Sequence, residues 1–113
     1  MVEGQIAGGV VQGVGGVLYE HLAYDEDGNP VATTLMDYLL PTAGDVPVIE
    51  YGHVETPSPG PGGYKGVGEG GAIGAPAAVV NAVADALSPF GVRITRLPLG
   101  PSQVLELLTA GRT

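Results

Sequence analysis

Twenty glycines and ten prolines stand among 113 residues, a density close to that of low-complexity, disordered sequence. Each glycine inside a helix costs roughly 0.5–1 kcal/mol relative to alanine, and each proline removes a backbone donor. Regular structure therefore has to form between these residues or be held from outside. The segment Thr56 to Gly63 carries three prolines and three glycines, which excludes helix and sheet interior. Elsewhere the glycines fall in short patterned clusters. With 44% hydrophobic and only 14% charged residues, the chain is too apolar for a solvated coil. Its length allows one domain at most, and a chain this short is hard pressed to bury a core of its own.

Charge and missing residue types narrow the function classes. Twelve acids face four bases, for a net charge of −8. No Lys or Arg occurs before Lys65; the others are Arg93, Arg96 and Arg112. Such a surface repels phosphate backbones, so nucleic acid is not an expected partner. The absence of cysteine removes disulfides, thiolate metal sites and Cys nucleophiles. No signal peptide and no membrane-spanning stretch is expected, and a cytoplasmic location follows as the expectation.

Residues 5–20 predict a helix with two stripes. Ile6, Val10, Val14, Val17 and Leu18 recur at three- and four-residue steps, and Gln5, Gly8, Gln12, Gly15 and Tyr19 run beside them. Its glycines require that another helix or a ligand approach its backbone closely. His21–Tyr24 and Val31–Leu35 predict a hairpin around Asp25-Glu26-Asp27-Gly28-Asn29-Pro30. An irregular ordered loop is expected over Met36–Pro47, and a third strand over Val48–Val54. After the turn Gly66-Val67-Gly68-Glu69-Gly70-Gly71, Pro76 opens a predicted helix to Leu87, with Val79, Val80, Val83 and Leu87 on its buried face. Val92–Thr95 reads as a short strand, and Pro101 opens a last helix with Val104, Leu105 and Leu108 inward.

Taken alone, the glycine loop is the best candidate site. Its N–H groups are unobstructed and a helix begins behind it, so an anion or oxo group is a natural guest. Glu69 in its centre is a proton acceptor, a solvated residue or a helix cap. Gln5 and Gln12, seven apart on one helix face, suit the edge of a heterocycle or simply face solvent. His21 and His53 have no partner at metal-ligand spacing, and Asp37 and Asp45 suit turn capping. The spacing of Gly66, Gly68 and Gly71 imitates a dinucleotide fingerprint, but no strand precedes it, so that reading is rejected.

Gly4-Gln5-Ile6-Ala7-Gly8-Gly9-Val10-Val11-Gln12-Gly13-Val14-Gly15 resembles the Gly-Gln…Gln-Gly-x-Gly helix of the molybdenum hydroxylases, the family of xanthine dehydrogenase, aldehyde oxidoreductase and aerobic carbon monoxide dehydrogenase. Lys65-Gly66-Val67-Gly68-Glu69-Gly70-Gly71 resembles the family's Lys-Gly-x-Gly-Glu loop. Met36–Ala43, Gly52–Pro59 and Pro76–Leu87 fit too, and favour the carbon monoxide dehydrogenase-like branch. The resemblance runs over nearly the whole chain, but only to the C-terminal end of the family's large, molybdenum-binding subunit.

The resemblance implies one α+β unit over 1–113, part of a molybdopterin-binding domain, with helices packed on a small mixed or antiparallel sheet. It implies that Glu69 is the catalytic general base, in a dry, glycine-lined pocket. Gln5, Gly8, Gln12, Lys65, Gly66, Val67 and Gly68 would be cofactor-binding. The cofactor would be molybdopterin with molybdenum, in its cytosine dinucleotide form, the metal being held by the pterin sulfurs and not by this chain. Partners would be the upstream part of the large subunit and subunits carrying FAD and a 2Fe-2S cluster, in a hetero-oligomer acting on a small-molecule substrate. The isolated chain would be inactive. Two alternatives stand beside this: a non-catalytic assembly module of such a complex, and a small Gly-rich nucleotide- or anion-binding domain.

Overall fold

A computed structural model describes residues 1–110. It contains three helices, α1 (Val2–Leu18), α2 (Gly70–Leu87) and α3 (Pro101–Ala110). Short 3-10 turns lie at Pro61–Gly63 and Ser88–Phe90. The sheet expected from the sequence is absent among the described residues. What remains of the hairpin is one antiparallel bridge between Tyr24 and Pro30, with Val31 N–H donating to the Ala23 carbonyl at 2.9 Å. The turn itself forms as predicted, with Gly28 at φ 82° and the Asp25 carboxylate accepting from Asn29 N–H at 2.8 Å. That bond leads the causes that lower the Asp25 carboxyl below its usual value. The two bonds flanking the bridge, from Val31 N–H to the Ala23 carbonyl and from Asp25 N–H to the Asn29 carbonyl at 3.0 Å, are the whole of the pairing. Val48–Val54 and Val92–Thr95 form no strand and take part in no bridge among the described residues.

The fold rests on the crossing of α1 and α2, and glycines make it possible. A Cβ added at Gly9 would stand 2.6 Å from the Ala72 nitrogen and 2.9 Å from the Gly71 Cα. At Gly13 it would meet the Ala75 Cβ at 2.6 Å and the Pro76 ring at 3.0 Å. At Gly71 it would run into the Ile6 carbonyl oxygen. The partner that the glycines of α1 require is therefore a second helix. This packing also explains why α2 starts at Gly70 rather than at Pro76. The glycines of 70–74 join the helix because α1 supports them, and Pro76 becomes an interior residue whose ring seats against Gly13. The α2 stripe is as read from the sequence, with Val79, Val80, Val83 and Leu87 all half-buried on the α1 side.

Two corrections concern apolar surface. The stretch Gly70–Phe90 is, by length and composition, long and apolar enough to cross a bilayer, contrary to the expectation that none is; one of its faces instead packs on α1. On α3, Val104 and Leu108 are half-buried, but Leu105 is 62% exposed.

The loop after the hairpin is ordered by side chains, as expected of Asp37 and Asp45. Asp37 accepts from the Thr34 hydroxyl at 2.8 Å, and Asp45 from the Thr42 hydroxyl at 2.7 Å and its N–H at 2.8 Å. Tyr38 then donates to Glu20 at 2.6 Å, and Pro41 covers Gly15, where a Cβ would stand 3.1 Å from the ring and 2.5 Å from Glu20 Oε1. Gly15 is therefore buried, not part of an open polar stripe. The Glu20 bond, then desolvation, raises the Tyr38 phenol above its usual value; desolvation, then Asp45, raises that of Tyr19. Phenols raised in the folded state stabilise it below their unfolded value of about 10 and lose that contribution as pH climbs through the folded one. Asp45, lowered chiefly by Thr42, stabilises above its unfolded value and loses that contribution as pH falls through its folded one. In the folded protein, Tyr38→Phe should speed amide exchange over residues 34–45 at neutral pH. The alkaline loosening of that segment should shrink with it. Unchanged exchange by mass spectrometry would remove Tyr38 as the anchor.

Candidate functional site

The site forms where the N-terminal half of α1 meets the loop leading into α2. Gly68 lies beside Gln5: a Cβ there would be in ordinary contact with the Gln5 Nε2, at 3.9 Å. Glu69 follows directly as the N-cap residue of α2, with φ −113° and ψ 0°. Its carbonyl accepts from Ala72 N–H at 3.0 Å, while its side chain makes no capping bond. The capping alternative for the carboxylate is therefore not what the structure adopts. The two sequence motifs, Gly4–Gly15 and Lys65–Gly71, thus lie side by side and present a carboxamide, a glycine loop and a carboxylate with no side-chain bond among the described residues.

Glu69 is exposed among the described residues. The dry pocket expected around it is not closed by them; they supply the glycine-lined side only. Gln5, Gly8 and Gln12 lie exposed on the α1 face away from the buried Gly9 and Gly13. Space is open over this face: a Cβ at Gly4, Gly8, Gly16, Gly66 or Gly70 would meet nothing within 4 Å. Gln12 stands at the mouth of a shallow groove with Gly16, Ala72, Pro76 and Leu97. Val67 is 37% exposed. Lys65 is held elsewhere; its ammonium donates to the Thr56 hydroxyl at 2.9 Å, over a cavity shared with Val54, Glu55 and Pro57. No group of three or more metal-ligating side chains occurs among the described residues.

Open backbone beside two exposed carboxamides fits a large planar heterocyclic cofactor. It allows close approach, and the carboxamides offer both donors and acceptors to ring edges. Sequence reasoning singled out Gln5 and Glu69 as candidates but missed the residues that bring their two segments side by side. Gly9 and Gly71 do this, and the pairs Gly8-Gly9 and Gly70-Gly71 were the available signal. It also missed that His53 reaches Glu3, at 3.8 Å, with both side chains more than half exposed.

A family profile described as the molybdopterin cofactor-binding domain matches residues 1–47. The chain is 55% identical over 107 residues to the nicotine 6-hydroxylase large subunit of Paenarthrobacter nicotinovorans, covering 94% of this chain and 13% of that protein. It is 40% identical over 99 residues to the carbon monoxide dehydrogenase large chain of Hydrogenophaga pseudoflava, covering 87% and 12%. The crystal structure of quinoline 2-oxidoreductase from Pseudomonas putida 86 superposes with a TM-score of 0.91 at 52% identity, over 96% of this chain and 14% of that one. The chain thus spans about an eighth of the length of the curated relatives it matches.

Proposed function

The chain belongs to the family of molybdopterin-binding large subunits of the molybdenum hydroxylases, and on that footing we propose that it forms one wall of the cofactor and substrate site and carries the catalytic base. The observation that carries this reading is the placing of the Gln5 carboxamide against Gly68, one residue from the unpartnered Glu69 carboxylate, on open glycine backbone. Bound there, molybdopterin would supply a molybdenum centre able to take two electrons from the substrate while oxygen from water enters it. The chain's own residues do the remaining work. Gln5 and Gln12 hydrogen-bond the heterocycle, and Gly8, Gly66 and Gly68 let it lie against the backbone, with Val67 beside them. Glu69 accepts, at a carboxylate oxygen, the proton released as water becomes the nucleophile. Lys65 serves the site through the loop it ties to Thr56.

The Gln5–Gly16 stripe is about 16 Å long at 1.5 Å per residue, more than one pterin ring system needs. This supports the cytosine dinucleotide form of the cofactor. Electrons leaving the site need carriers that this cysteine-free chain cannot provide, in keeping with FAD and 2Fe-2S subunits in a cytoplasmic hetero-oligomer. For the substrate, the two relatives named for nicotine and quinoline match at 55% and 52%, the carbon monoxide enzyme at 40%. Positions 6 of nicotine and 2 of quinoline are both ring carbons next to a nitrogen. An electron-poor nitrogen heteroaromatic ring, hydroxylated beside its nitrogen, is the substrate class this favours.

Gln5→Ala in the assembled enzyme tests the site. Gln5 is exposed, so no core volume is lost, and one neutral hydrogen bond is worth about 0.5–1.5 kcal/mol. Molybdenum content should fall several-fold on gel filtration with circular dichroism unchanged. Full metal retention would remove Gln5 from the cofactor site.

A further inference from the structure

We infer that Gly9 and Gly71 are positioning residues for catalysis: their contact fixes the start of α2 against the Gln5–Ile6 turn of α1 and thereby sets where the Glu69 carboxylate stands. The inference rests on the reading of Glu69 as the base. Three observations carry it. Gly71 lies two residues after Glu69, and its Cα packs against the Ile6 peptide so tightly that a Cβ would be 3.0 Å from the Ile6 carbonyl carbon as well as against its oxygen. From the other helix, Gly9 closes on the same point, with its absent Cβ 2.9 Å from both the Gly71 Cα and carbonyl carbon. All these neighbours are backbone atoms, which cannot rotate away as a side chain does, so the first turn of α2 has to move if either glycine gains a methyl. The capping residue of that turn is Glu69, whose side chain is otherwise unanchored; its place is inherited from the backbone alone.

Gly13 is the internal contrast. It sits one turn further along the same seam, but its closest neighbour is the Ala75 Cβ at 2.6 Å, six residues beyond Glu69. A methyl there presses on the second turn of α2, at Ala75 and Pro76, rather than on the first. Gly74 and Gly8 meet nothing within 4 Å, so Gly74→Ala controls for helix propensity alone. Displacement of a reacting group by about 1 Å can cost as much as 10²-fold in rate, whereas an overpacked seam lowers stability without touching the chemical step.

The test uses the complete molybdenum-loaded enzyme and its normal substrate assay. Gly9→Ala, Gly71→Ala, Gly13→Ala and Gly74→Ala are each measured for molybdenum content, thermal midpoint, and the pH profile of kcat per molybdenum. Gly9→Ala and Gly71→Ala should lose roughly 10–100-fold in kcat per molybdenum and shift the acidic limb of the profile, which reports the base. Gly13→Ala should lower the thermal midpoint but keep kcat per molybdenum and its pH profile within twofold. Gly74→Ala should match wild type in all three. Unchanged kcat per molybdenum in either Gly9→Ala or Gly71→Ala overturns the inference. So does an equal loss in Gly13→Ala, or a failure of both Gly9→Ala and Gly71→Ala to give folded enzyme, since each makes the seam a matter of stability only. Glu69→Gln run in parallel separates the two readings. If it turns over normally, the assignment of the base is wrong; if it is inactive while the seam variants are normal, only the positioning is wrong.

Discussion

Replacing Glu69 by Gln in the assembled enzyme should abolish turnover and leave cofactor and fold in place. Among the described residues the carboxylate makes no capping bond and no ion pair, so its removal leaves no buried donor of theirs unmatched. Gln is nearly isosteric, and the close packing next to it, of Gly71 on the Ile6 peptide, is made by backbone. What the amide cannot do is accept a proton at neutral pH. Loss of a general base typically costs 10²–10⁴-fold, and more where the base also generates the nucleophile. Were Glu69 only a solvated loop residue, rate would fall no further than metal content. Measuring molybdenum and initial rate on one preparation decides between these outcomes, and a fully loaded variant with near wild-type turnover would remove Glu69 from the mechanism.

The helices were legible because their signals are local. The valine stripe of α1 and the aliphatic stripe of α2 read out at the right period, and the acidic turn around Gly28 and the threonine–aspartate turns at Asp37 and Asp45 declared themselves by residue type. The start of α2 was not legible. Gly70, Gly71 and Gly74 look like helix breakers until Gly9 and Ile6 are known to lie against them, and tertiary packing then overrides propensity. The expected strands failed for the opposite reason. Val31–Leu35 and Val48–Val54 have strand-like composition, but a strand needs a neighbour, and none of the described residues provides one. The candidate site was legible only as two separate motifs, around Gln5 and around Glu69. That the two segments lie side by side depends on a crossing of backbones that glycine allows and no side-chain pattern announces.

The same absence of neighbours leads to the second large effect, which concerns the chain by itself. Among the described residues the only buried large apolar side chains are Val17 and Leu99, at 1% and 3% exposure. Met36, Val48, Val54, Tyr64 and Ile73 are all nearly as open as in an extended chain. The radius of gyration is 17.7 Å, where a compact domain of this length has about 13 Å. Ordering each residue costs about 1–2 kcal/mol in backbone entropy, and apolar burial is the main term that offsets it. Two buried side chains and one helix pair leave that cost uncovered, so the 113 residues alone should show no cooperative thermal transition. Amide protection should be near zero outside α1 and α2. Co-expression with the remainder of a large subunit should restore protection first in α3 and over residues 48–54, where apolar surface is now exposed. Circular dichroism melting and hydrogen exchange on the isolated chain check this directly. A sharp transition above about 60 °C, within the upper part of the usual mesophile range, would mean that the α1–α2 seam and the clasped 34–45 loop are stable without a covering partner.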